Sequence, residues 1–204
     1  MRIGEIIETG SLGFVAESFE LNRPPALGRL VIVCVQSVPN NQSATGLYAV
    51  VTDGWTAGID PSRRAVRRGT PDVYDAAIYQ ESPELAHILR TEFRAVLVGY
   101  TLHDQVRQHL PPQPPPLHYS VEDASGEKVR LFTNELRYLR ILRDIAGEVS
   151  PLQVLAAHIR QVYAQRGQDN EWLQAAAREV SVLLKGDYDS LLTVLYAVDP
   201  GEAL

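Results

Sequence analysis

One cysteine, Cys34, leaves the chain unable to form an internal disulfide or a cysteine-built zinc cluster. Its place in the apolar run Arg29-Leu-Val-Ile-Val-Cys-Val35 predicts a buried free thiol, which suits a reducing compartment. No apolar window approaches the length needed to span a bilayer. The N-terminal Met-Arg-Ile-Gly-Glu-Ile-Ile-Glu carries charges every few residues, unlike a signal peptide. No membrane insertion is therefore expected, and the expected location is cytoplasmic.

An excess of positive charge is also missing. The formal net charge is -6; residues 1–110 hold 10 basic against 12 acidic side chains, and residues 111–204 hold 9 against 13. Neither half has the balance of a general nucleic-acid binder. Catalytic signatures are absent too: no Gly-x-x-x-x-Gly-Lys-Ser/Thr, no Gly-x-Ser-x-Gly, no His-Glu-x-x-His and no Rossmann glycine pattern. The five histidines (His87, His103, His109, His118, His158) have no metal-ligand spacing. Glu5, Glu8, Glu17 and Glu20 are spaced by three along expected strands, which puts neighbours on opposite faces rather than in an acid–base pair. These absences imply a non-enzymatic protein with no cofactor and no metal.

What the chain does have is a proline run, Leu110-Pro-Pro-Gln-Pro-Pro-Pro-Leu117. Proline fixes φ and donates no backbone hydrogen bond, so this octet is an extended strap. Its Pro-x-x-Pro spacings (Pro111 to Pro114, Pro112 to Pro115) suit an aromatic groove, but an intramolecular brace is the favoured reading. Before the strap, strands are expected at 2–8 and 12–20 around Thr9-Gly10-Ser11, at 29–35, at 46–52 after a polar turn at 39–43, and at 93–100. Asp53-Gly54 reads as a tight turn before a further short strand at 55–59. Residues 71–79 read as loop with a helical turn. Ser82-Pro83-Glu84 opens a short helix carrying Leu85, Ile88 and Leu89.

After the strap, 117–121 and 128–132 bracket Asp123-Ala-Ser-Gly126 as a hairpin that completes a barrel, which makes the strap a crossover rather than a linker. Four helices follow: one over 133–146, one opened by the capping box Ser150-Pro-Leu-Gln153, one started by Asp169 and stopped at Lys185-Gly186, and one capped by Asp187. The fold class expected is α+β: an N-terminal small β-barrel over 1–132, followed by a C-terminal antiparallel helical bundle over 133–204.

Four stretches carry a resemblance: Arg2-Ile-Gly-Glu-Ile-Ile, Phe14-Val-Ala-Glu-Ser, Pro25-Ala-Leu-Gly-Arg-Leu-Val and Leu47-Tyr-Ala-Val-Val. In this rhythm the N-terminal half resembles the HAS-barrel, the small barrel that opens HerA-type ATPases and the α and β subunits of F1 ATP synthases. The longer run through Glu84-Leu, Thr91-Glu-Phe-Arg-Ala, Gly99-Tyr and the strap is similar to stand-alone HAS-barrel proteins of cyanobacteria and related bacteria, which carry a helical tail. ATP hydrolysis is not implied, because the phosphate-cradling motif is missing. The resemblance implies assembly: such barrels pack into a ring or collar beside a motor.

The one basic cluster is Arg63, Arg64, Arg67 and Arg68. Guanidinium groups pair bidentately with phosphate and carboxylate, which makes these the candidate partner- or phosphate-binding residues. The plainer reading is a solvated loop neutralised by Asp60, Asp72 and Asp75. No aromatic residue lies among the four, which disfavours single-strand binding. The partner expected is therefore a protein, with homo-oligomerisation open and nucleic acid second.

Overall fold

Alternating and continuous apolar patterning turns nearly half of the first hundred residues into strands. The computed structural model describes residues 1–35, 45–60, 62, 64–103 and 105–198; the expected turn at 39–43 lies outside them, as does Arg63. Among the described residues, the strands are β1 (Arg2–Thr9), β2 (Gly13–Ser18), β3 (Leu30–Val35), β4 (Thr45–Gly58), β5 (Leu89–Leu102), β6 (Gln105–Arg107) and β7 (Ser120–Asp123). They form one antiparallel sheet in the order β2-β1-β7-β3-β4-β5-β6. β2 also pairs with β5, Phe14 opposite Ala95 and Ala16 opposite Phe93, so the ladder from β2 round to β5 returns on itself. Pairing of this kind removes the free strand edges that invite aggregation.

Alternation explains how the ring is filled. Ile6, Phe14, Ala16, Val31, Val33, Leu47, Ala49, Val51, Phe93, Ala95, Leu97 and Val121 form one buried cluster, with a contribution from each of the six ring strands. Leu30, Ile32, Tyr48, Val50 and Val98, on the alternate face, belong to a second cluster shared with the helices. Burial on both faces is why 30–33 reads as an unbroken apolar run. Cys34, expected to be buried, is exposed. It follows Ile32 on the face that carries helices, but the helical cover does not extend to it.

Four further expectations are corrected. The helix expected over 133–146 is cut to residues 139–143, and 134–138 are not helical. Asp53-Gly54 is no turn: β4 runs 14 residues from Thr45 to Gly58, with a register shift between Val51 and Asp53. The bulge takes up the extra residue, and a Cβ on Gly54 would lie 2.8 Å from Pro24. Residues 128–132 are not a strand but part of α3 (Gly126–Thr133), with Val129 and Phe132 buried one helical turn apart and Leu131 exposed. Only β7 joins the sheet, between β1 and β3, which makes the strap a crossover from β6. Ser150 opens its helix without a side-chain cap; Pro151 takes the first helical position.

The remaining helices are α1 (Ala76–Glu81) and α2 (Leu85–Ile88) between β4 and β5, then α4 (Leu139–Arg143), α5 (Pro151–Gln165), α6 (Asn170–Leu183) and α7 (Tyr188–Val198). Asp169 accepts the Trp172 amide at 3.0 Å, as an N-cap does, and Asp187 accepts that of Ser190 at 3.1 Å. Gly186 ends the preceding helix at φ +95°. α5 is the hub of the helical layer: it packs on β3 and β4 and against α3, α4, α6 and α7. Arg166, at its C-terminal end, is 8% exposed. It donates to Asp169, to Thr133 Oγ1 and to the Arg130 carbonyl, tying α3 to α6.

A chain of ring contacts fastens this layer to the sheet. Tyr48 of β4 stacks on Phe132 at 4.3 Å, and Phe132 packs on Tyr138 at 5.0 Å. The Tyr138 hydroxyl lies 2.8 Å from His158 Nε2, and His158 Nδ1 lies 2.7 Å from the Gly28 carbonyl. A carbonyl only accepts, so Nδ1 carries the proton and Nε2 accepts from the tyrosine. Burial pushes the His158 pKa down from 6.5 to about 4, against the raising effect of the Gly28 carbonyl, and pushes that of Tyr138 up. Both rings are neutral at pH 7. Gly28 sits at φ +79°, and a Cβ there would meet the His158 amide nitrogen at 2.3 Å.

Two outcomes follow for stability. Gly28→Ala should destabilise the chain by about 3 kcal/mol in denaturant titration, through strain and backbone collision. The depressed His158 pKa means the unfolded chain binds the proton first, so stability should fall as pH drops from 6.5 towards about 4. That contribution is about 3 kcal/mol in all, and the pH profile of His158→Gln should lack it.

Candidate functional site

β4 and β5 are each 14 residues long, about 45 Å if fully extended. Their inner portions belong to the ring, whereas Trp55 to Gly58 pair only with Glu92 to Leu89. The Ile59 amide donates to the Ile88 carbonyl at 3.0 Å and closes the base of the excursion. Inside it, Asp60 accepts from the Ser62 amide at 2.9 Å and from its hydroxyl at 2.5 Å, and these bonds hold the Asp60 carboxyl below its usual pKa. The chain from 64 to 70 has no regular structure. Thr70 and Val73 then form a turn, and α1 and α2 bring the chain back to β5.

The excursion encloses an open groove of about 560 Å3. Its floor and walls are Ile59, Val66, Ile78, Tyr79, Leu85 and Ile88, with Arg64 and Arg68 also lining it. Leu85 is buried, but Val66 is 79% exposed and Ile59, Tyr79 and Ile88 are each above 40%. Sequence reasoning found the arginines and missed these apolar neighbours. The available signal was the alternation of Ile59, Ala65 and Val66 with the basic residues, together with Ile78, Leu85 and Ile88 downstream.

Of the four candidate arginines, Arg64, Arg67 and Arg68 are described, and all three are exposed. Arg68 reaches Glu84 at 3.4 Å, with side chains 45% and 52% exposed. A pair that open to solvent holds weakly. Among the described residues Arg64 and Arg67 have no hydrogen-bond or ion-pair partner. Asp72 and Asp75 form no ion pair with any of the three described arginines. Neutralisation by those two aspartates is thus not how the described part of the cluster is built.

The other candidates divide cleanly. Pro111 and Pro115 of the strap are buried, and the Thr9 hydroxyl donates to the Pro115 carbonyl at 2.7 Å. Each Pro-x-x-Pro spacing therefore has one proline turned into the fold, in keeping with a brace. His118 Nδ1 lies 2.8 Å from Glu5 Oε1, and His109 packs edge-on to Tyr100 at 5.3 Å. Strand register, invisible in the sequence, sets Glu5 opposite Glu17 and Glu17 opposite Glu92. Glu17 lies 3.6 Å from Arg90. Among the described residues no group of three His, Cys, Asp or Glu side chains converges to hold a metal ion, and no helix is long and apolar enough to cross a membrane. No protein-family model matches the chain, and no curated protein matches it either.

The arginines can be removed without cost to the fold. Arg64→Ala combined with Arg67→Ala should change unfolding free energy by less than about 0.5 kcal/mol, since neither guanidinium has a described partner. Chemical denaturation of wild type and variant checks this.

Proposed function

We propose that this chain is a non-enzymatic interaction or assembly protein. In this reading the ring of strands is a HAS-type barrel that docks against further copies of itself or a ring-shaped partner. The helices act as a bundle that steadies it, and the excursion between β4 and β5 supplies a docking surface. One observation carries the reading: exposed aliphatic side chains share one groove with Arg64, which has no described partner, and with Arg68, held only by a solvent-exposed contact to Glu84. Exposed apolar clusters of this kind mark interaction surfaces, and arginine is enriched in them. The return of the β2–β5 ladder and the side-chain filling of the ring support the barrel assignment. An exposed, unpaired thiol at Cys34 is best kept in a reducing cytosol, where we place the protein.

A second reading, a nucleic-acid-processing accessory that contacts phosphates through the arginine loop, draws on Arg64 and Arg67, which have no partner among the described residues. Affinity capture from native lysate, with and without nuclease, separates the two when wild type is run beside Arg64→Glu/Arg68→Glu. The docking reading expects a protein that survives nuclease and is lost from the variant. Capture that disappears with nuclease would replace it by the second reading. Capture indifferent to the variant would remove the groove from either.

A further inference from the structure

The chemistry of the groove narrows its occupant. Its interior is aliphatic, built from Ile59, Val66, Ile78 and Ile88, and has no use for a ligand made only of charge. Arg64 lines it without a described partner, and the Arg68–Glu84 contact at 3.4 Å is solvent-exposed and open to exchange with another carboxylate. The whole chain carries a net charge of -6, whereas the groove lining sets two arginines against one carboxylate, Asp60, which makes it a locally basic site on an acidic molecule. A long polyanion would meet repulsion beyond the groove, whereas a short segment with a few carboxylates feels mainly the nearby guanidinium groups. Single-stranded nucleic acid also asks for exposed aromatic faces on which to stack. Among the described residues Tyr79 is the one aromatic ring lining the groove, and its hydroxyl is engaged at 2.7 Å by the Asn22 amide.

We propose that the groove binds an acidic segment of a protein partner in which apolar side chains alternate with Asp or Glu: the apolar groups enter between Ile59, Val66, Ile78 and Ile88, and the carboxylates pair with Arg64 and Arg68. The inference rests on the docking reading above and names the partner's chemistry. Bidentate guanidinium–carboxylate pairs set the register of the segment, and aliphatic burial supplies the contact area. Arg67, adjacent and outside the lining, contributes long-range attraction.

The test pans a random peptide library displayed on phage against the full chain, with Arg64→Glu/Arg68→Glu as a parallel target. The inference expects enriched sequences with an acidic excess interleaved with Leu, Ile, Val or Phe. Their binding should weaken at least about tenfold on the charge-reversed target, and should fall with added salt. Val66→Ser, at a position 79% exposed and so safe for folding, should also weaken binding. Enriched peptides with no acidic excess, or peptides bound equally by all three proteins, would overturn the acidic-segment inference and leave the docking reading standing. Failure of any peptide to enrich would remove the acidic-segment inference, and the docking reading falls separately if affinity capture yields no protein that depends on the groove. Tight, arginine-dependent binding of an oligothymidylate without peptide enrichment would overturn the inference in favour of single-stranded nucleic acid. A concentration-dependent oligomer in sedimentation that disappears in the charge-reversed variant would assign the groove to a second copy of the chain instead.

Discussion

The line of contacts from Tyr48 through Phe132, Tyr138 and His158 to the Gly28 carbonyl holds the sheet and helices as one body. Two pieces of chemistry combine in it. The rings fill space at the junction, where stacked and tilted aromatic pairs are worth more than their area alone. The histidine then satisfies a tyrosine hydroxyl and a backbone carbonyl, which would otherwise cost about 1–3 kcal/mol each if left unpaired in the interior. The contact also demands a close approach of backbone to helix, and Gly28 permits it by lacking a Cβ and accepting φ +79°. α5 is thereby anchored on the sheet, and the other C-terminal helices are arranged around α5.

This sharing of one core between strands and helices leaves the β4–β5 excursion with little structural duty. Among the described residues Leu85 is its one buried apolar side chain, and Ile59, Val66, Tyr79 and Ile88 are exposed. On the docking reading proposed above, stability and interaction are written in different parts of the chain. Residues of the ring interior and the helix junction carry the first, while 59–88 can vary its surface chemistry without opening the core. That division gives physical sense to arginines that stabilise nothing around them.

Much of the strand pattern was readable because alternation and continuous apolar runs report burial directly: β1 and β2 lie where period two places them, β3 lies where an unbroken apolar run does, and β5 contains the expected 93–100 within a longer strand. Helix ends were readable where a special residue marks them, as Pro151, Asp169, Gly186 and Asp187 do. Local signals failed where two structures share them. Lys128-Val-Arg-Leu-Phe132 fits a short strand as well as a helical turn, and only its burial of Val129 with Phe132 decides. Asp53-Gly54 suits a turn or a bulge, and the long partner β5 selects the bulge. The pairing of β2 with β5 and the row Glu5–Glu17–Glu92 are matters of long-range register, to which sequence periodicity is blind. His158 shares the buried face of Leu155, Ile159 and Val162, but its partners come from Gly28 and Tyr138, far off in the chain. The groove was half legible: charge stands out in a sequence, whereas exposed aliphatic residues look like core until a structure shows them bare.

Hydrogen–deuterium exchange of the full chain, alone and saturated with a peptide or protein that binds it, tests the central claim most directly. The account predicts added protection confined to amides between 59 and 89, with the slow exchange of β3 and of α5 unchanged. Protection that appears instead on α7, the strap or the β1–β2 hairpin, while 59–89 stays as in the free chain, would contradict it.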